Sequence, residues 1–77
     1  MQYDHRITGH VIRRLREERR LTQEVLSGLS AIARSHLSEI ESGRTSANVE
    51  TLWRIADALD MRLSELIQMV EWESAGK

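Results

Sequence analysis

Apolar residues recur at the spacing of an α-helix almost throughout this chain, and nowhere with the alternation of a half-buried strand. Ile7, Val11, Ile12 and Leu15 form one stripe of a first helix from about residue 7 to 19. Thr22 can cap a second helix, with Glu24 in its positive first turn and Val25, Leu26 and Leu29 as its apolar residues. Residues 30–33, Ser-Ala-Ile-Ala, read as a short turn. A third helix from about Arg34 to Ser42 turns Leu37 and Ile40 inward, and Gly43 suits the left-handed position at its end. After the loop 44–47, Asn48 caps a fourth helix with Val49, Leu52, Ile55, Ala56 and Leu59 facing in. Ser64 is the expected cap of a fifth, with Leu66, Ile67 and Val70 inward. Five short helices are expected, with a frayed tail over 73–77.

Seventy-seven residues are enough for a single domain, 1–77, but near the lower limit for a self-sufficient core. Cysteine is absent, so neither a disulfide nor a thiolate metal site can reinforce that core. Tight helix packing or oligomerisation must do so. No apolar run is long enough to span a bilayer, and the first six residues lack the apolar block of a signal peptide, so the expected location is cytoplasmic. His5, His10 and His36 have neither ligand spacing nor paired carboxylates, which leaves no metal or cofactor to expect. Ser35, Ser38 and the histidines form no sheltered nucleophile constellation, so an enzyme is not expected either. No small-molecule ligand is evident.

The informative stretch runs from Leu21-Thr22-Gln23-Glu24-Val25-Leu26-Ser27 to Arg34-Ser35-His36-Leu37-Ser38-Glu39-Ile40-Glu41-Ser42-Gly43. Two helices of about eight residues joined by a turn of three or four have the spacing of a helix-turn-helix. Ser27 stands at the crossing, where a small side chain permits close approach. With residues 9–16 upstream, and Thr51-Leu52-Trp53-Arg54-Ile55-Ala56-Asp57-Ala58-Leu59 and Leu63-Ser64-Glu65-Leu66 downstream, the chain resembles the Xre/Cro-type helix-turn-helix family of bacterial and phage regulators across residues 9–67. The resemblance implies an all-α, five-helix, lambda-repressor-like DNA-binding domain with the helix-turn-helix at helices 2 and 3.

It also implies roles. Arg34, Ser35 and Glu39, flanked by His36 and Ser38, match positions that touch base edges; Arg34 suits guanine and Glu39 a cytosine amino group. Thr22 and Gln23, then Gly43, Arg44 and Thr45, match phosphate-contacting positions. Arg13 is a further phosphate candidate, and Arg14, Arg19 and Arg20 are either contacts of the same kind or solvated cations. Arg16 and Glu41 match an internal ion pair between the first and third helices. Against the family pattern, Ala31 stands where glycine is common, Ala33 where a capping hydroxyl is usual, Glu39 and Ser42 where cations are frequent, and Ala47 in place of proline.

Net charge is −1, but it is polarised: residues 1–20 carry +3, residues 21–42 carry −2 and residues 43–77 carry −2. Weak bulk attraction to a polyanion follows. Val25, Leu29, Trp53, Met69 and Trp72 exceed what so small a core accommodates. Either Trp53 and Leu29 complete the core, or the fifth helix carries a homodimer interface anchored by Met69 and Trp72. The expected function is a DNA-binding transcriptional regulator, a repressor or autoregulator acting as a homodimer on a pseudo-palindromic site in double-stranded DNA. The alternatives are an antitoxin or restriction-modification controller on the same fold, or an interaction module that has lost DNA binding.

Overall fold

In the computed structural model, which describes residues 2–76, the chain forms five helices. They are α1 His5–Glu18, α2 Gln23–Ser30, α3 Arg34–Glu41, α4 Val49–Ala58 and α5 Leu63–Ser74. α1 packs on α3 and α5, α2 on α3 and α4, and α4 on α5. The core holds aliphatic side chains alone: Val11, Ile12 and Leu15 from α1, Leu26, Leu37 and Ile40 from α2 and α3, and Leu52, Ile55, Ala56, Leu59, Leu66 and Val70 from the last two helices.

The helix starts follow side-chain chemistry. Asp4 caps α1 by accepting the Arg6 N–H at 3.0 Å, so α1 begins at His5, two residues before the apolar stripe suggested. Thr22 Oγ1 accepts the Val25 N–H at 3.0 Å, and Asn48 Oδ1 accepts the Thr51 N–H at 2.8 Å. Ala33 supplies no side-chain cap to α3. Ser64 is not the cap of α5; it lies inside the helix, and the Glu65 carboxylate reaches back to the Arg62 N–H at 2.8 Å. That bond is the carboxylate half of a capping box, in which an acceptor one turn into the helix satisfies the amide of the residue before it.

Four helices end in the same way. The N–H of Leu21, Ile32, Arg44 or Met61 returns to the carbonyl of Arg16, Ser27, Glu39 or Ala56, five residues back. The residue before each is left-handed: Arg20, Ala31, Gly43 and Asp60 have φ of 57°, 58°, 80° and 59°. Only one is glycine, so the returning backbone hydrogen bond is what the four stops share, and an apolar residue follows at three of them, Leu21, Ile32 and Met61. Ser30 belongs to α2 rather than to the turn.

Several apolar side chains expected inward point outward. Val49 and Ile67 are exposed, as are Leu29 and Trp53. On α4 the inward stripe is Leu52, Ile55, Ala56 and Leu59, and Trp53 is turned about 100° from Leu52. Trp53 and Leu29 therefore do not complete the core. The tail is ordered further than expected: α5 runs through Ser74, and Glu73 pairs with Arg14 of α1; Lys77 lies outside the described residues.

Candidate nucleic-acid interface

The α1–α3 contact positions the site. Gly9 of α1 is buried against the backbone of Ile40 and Glu41 in α3. Beside it, Arg16 Nε and Nη2 donate to Glu41 Oε2 and Oε1 at 2.8 and 3.0 Å, and Arg16 Nη1 donates to the Leu21 carbonyl at 2.7 Å. The Glu41 side chain is only 2% exposed, and its hydrogen bonds hold the Arg16 guanidinium more firmly charged than usual. One buried fork thereby joins α1, the start of α2 and the end of α3.

α2 packs on α3, and Ser27 of α2 is buried, its hydroxyl donating to the Glu24 carbonyl at 3.1 Å. The turn between them is made by Ala31, with φ 58° and ψ 42°. α3 then turns Leu37, Ile40 and Glu41 inward. Arg34, Ser35 and Glu39 face outward, with His36 and Ser38 half-buried beside them. Arg34 shares an open depression with Arg16, Thr22, Gln23 and Glu24, so a base-contact candidate and two phosphate candidates line one wall. Gln23 is partly committed: its Nε2 donates to Glu41 Oε1 at 3.0 Å, leaving one amide N–H for another acceptor.

The far edge is the turn 43–45. Gly43 is left-handed, Arg44 is exposed, and the Thr45 hydroxyl turns toward the Ser46 carbonyl. Arg34 and Arg44 form no ion pair among the described residues, which leaves both guanidinium groups open to an acceptor. The remaining cations of α1 divide. Arg13 is exposed and pairs only with Glu17 on its own helix. Arg14 pairs with Glu73, and Arg19 donates to the Leu59 carbonyl at 3.0 Å, so these two fasten α1 to the last two helices.

Two residues at this edge escape sequence reasoning. His5 Nε2 is 3.0 Å from the Gly43 carbonyl, and the stem of Arg6 lies against the Gly43 backbone. Thirty-eight positions separate His5 from Gly43, and no local pattern announces the contact. The glycine itself is the only signal, since it marks both a positive φ and a close approach.

On α5, Trp72 is 63% exposed and Met69 half-buried; with Arg14, Gln68 and Glu73 they line a shallow groove. Trp53 faces a separate depression with Met61 and Leu63. No group of three or more histidine or carboxylate side chains is gathered in metal-binding geometry among the described residues.

The pattern of the helix-turn-helix family matches residues 12–66, the whole span from the middle of α1 into α5. The chain belongs to this family. It is the Xre/Cro-type helix-turn-helix family of DNA-binding transcriptional regulators. Among relatives, the helix-turn-helix transcriptional regulator y4dJ of Sinorhizobium fredii is 37% identical over 62 residues, covering 80% of each chain. Among solved structures, the restriction-modification controller protein C.AhdI from Aeromonas hydrophila is 33% identical with a TM-score of 0.79, covering 82% of this chain and 96% of that one. The controller C.Esp1396I, solved as a tetramer with its natural 35 base-pair operator, is 25% identical with a TM-score of 0.84, covering 95% of this chain and 96% of that one. The helix-turn-helix of this chain is α2, the Ala31 turn and α3, and among the described residues no helix is long and apolar enough to cross a membrane.

Proposed function

We propose that the chain is a cytoplasmic, sequence-specific regulator of transcription, a repressor or autoregulator that lays α3 in the major groove of double-stranded DNA. One observation carries the reading: Arg34 on the outward face of α3 shares one open depression with Thr22 and Gln23 at the start of α2, and neither Arg34 nor Arg44, in the turn after α3, forms an ion pair among the described residues. Arg34, Ser35 and Glu39, flanked by His36 and Ser38, read base edges. Thr22, Gln23, Gly43, Arg44, Thr45 and Arg13 hold phosphates, fixing register. Arg16 and Glu41 take no part in contact and hold the two surfaces in phase. A single domain reads few base pairs, so the protein acts as a homodimer on a pseudo-palindrome, with Met69 and Trp72 as anchors. The likeness to C.Esp1396I, a protein solved on its operator, supports the DNA-binding part.

A role as restriction-modification controller is a second reading, favoured by the likeness to C.AhdI over nearly all of that chain. Neighbouring endonuclease and methyltransferase genes would separate it from a stand-alone regulator.

The test is selection from a random duplex pool, repeated at two salt concentrations, with light scattering of the free protein. The expected result is an enriched two-fold symmetric site, binding that weakens with salt, and a dimeric mass at tens of micromolar protein. Absence of enrichment overturns the reading in favour of an interaction module. A monomeric mass removes the dimer.

A further inference from the structure

We propose that Arg6 is an additional phosphate contact at the edge of this interface, with its strength set by Asp4. The inference rests on the DNA-binding reading above and extends it to the start of α1. Arg6 is the second residue of α1, and its side chain is 75% exposed. A Cβ built on Gly43 would stand 2.8 Å from Arg6 Cγ, so the Arg6 stem lies directly on the glycine that opens the phosphate turn 43–45. His5 Nε2, 3.0 Å from the Gly43 carbonyl, ties the same end of α1 to that turn. Glycine at position 43 therefore serves two ends: it takes the left-handed conformation and lets a second cation approach the edge that Arg44 already occupies.

Asp4 faces this cation. Arg6 Nε donates to Asp4 Oδ1 at 3.1 Å and Arg6 Nη2 to Oδ2 at 2.9 Å. The bond to Arg6 holds the Asp4 carboxyl below the usual carboxylate range, and so charged at neutral pH. Two of the five guanidinium N–H groups are thereby used, and the others remain for a phosphate oxygen. An exposed pair of this kind is weak in water, and a dense line of phosphates competes with it readily. Asp4 lowers the effective charge that Arg6 offers to DNA while also capping α1.

The two duties of Asp4 can be separated, because asparagine caps as well as aspartate but carries no charge. The experiment measures fluorescence-anisotropy titrations of the wild type, Arg6→Gln, Asp4→Asn and the double variant. The probes are the duplex enriched by selection and a scrambled duplex of equal length. Arg6→Gln is expected to weaken both duplexes alike and to flatten the salt slope by about 0.9. The wild-type advantage then shrinks about threefold between about 50 and 200 mM salt. Asp4→Asn is expected to tighten binding in the wild-type background and not in the Arg6→Gln background. Unchanged affinity and slope in Arg6→Gln, with Arg44→Ala still flattening the slope, overturns the role of Arg6 and leaves the DNA reading standing. Equal tightening by Asp4→Asn in both backgrounds overturns it too, and remains decisive if Arg6→Gln is unstable. No binding by the wild type removes the underlying reading itself.

Discussion

Gly9 of α1 sits so close to Ile40 of α3 that a Cβ at position 9 would stand 2.9 Å from the Ile40 carbonyl carbon and overlap its oxygen. Backbone, not a flexible side chain, occupies the space, so α1 and α3 must separate to admit even one methyl group. Gly9→Ala is expected to destabilise the fold by about 3 kcal/mol, at the upper end of overpacking costs. Thermal unfolding followed by circular dichroism should show a midpoint at least about 10 °C lower. An unchanged midpoint would mean that the two helices are not held at this distance.

The Arg16–Glu41 fork is buried, and removing one member strands the other. Arg16→Met is expected to cost about 3 kcal/mol. The double variant Arg16→Met with Glu41→Leu should recover most of that loss, because an apolar pair needs no desolvation. Denaturant unfolding of the wild type, Arg16→Met, Glu41→Leu and the double variant gives the cycle directly. If the double variant is as unstable as the single one, the fork stabilises the fold beyond relieving its own buried charge.

Ser30 and Ala31 end α2 at a cost. The Ser30 hydroxyl is 1% exposed on a residue basis, and its oxygen has no hydrogen-bond partner among the described residues. Ser30→Ala should therefore stabilise the protein by about 1 kcal/mol. Ala31 holds φ at 58°, which glycine adopts freely, and Ala31→Gly should add about 0.5–1 kcal/mol after the entropy of the unfolded glycine is counted. Each rise reads as several degrees in the thermal midpoint.

Base and phosphate contacts lose different things when removed. Arg34→Ala is expected to relax preference at one base position by about 1–3 kcal/mol, while Arg44→Ala weakens all sequences alike and flattens the salt slope by about 1. Repeating the duplex selection with each variant separates the two. Identical behaviour would refute the docking of α3 described above.

Acid should loosen the start of α1. The hydrogen bonds of Arg6 hold the folded Asp4 carboxyl below its ordinary value. A lowered folded value contributes stability above the unfolded value, and that contribution disappears as pH falls through the folded one. The stability difference between the wild type and Asp4→Asn should accordingly shrink once pH drops below the usual carboxylate range, as read from urea unfolding at stepped pH. A difference that persists at the lowest pH would show that charge has no part in it.

The helices were legible because their signals are local. Apolar spacing marked each of them, and Thr22 and Asn48 marked two of the starts. Asp4 is an equally local signal, but the apolar stripe begins three residues after it, at Ile7, and does not mark that start. At α5 an isolated hydroxyl, Ser64, has the chemistry of a cap, but the Glu65 carboxylate bonds the Arg62 N–H and the helix starts earlier, at Leu63.

The helix-turn-helix itself was written in the sequence, from Thr22 to Ser42, since two short periodic segments, a small crossing residue and a fixed turn length are all local properties. Which cations of α1 remain free was not. Arg13, Arg14, Arg19 and Arg20 read alike in one dimension, yet Arg14 meets Glu73 of α5 and Arg19 meets the Leu59 carbonyl at the end of α4 only in the folded chain. Packing also decided that Trp53 and Leu29 stay outside the core, and that Arg6 stands at the Gly43 turn. A helix fixes its own faces through its period, whereas the tertiary fold decides what each face meets.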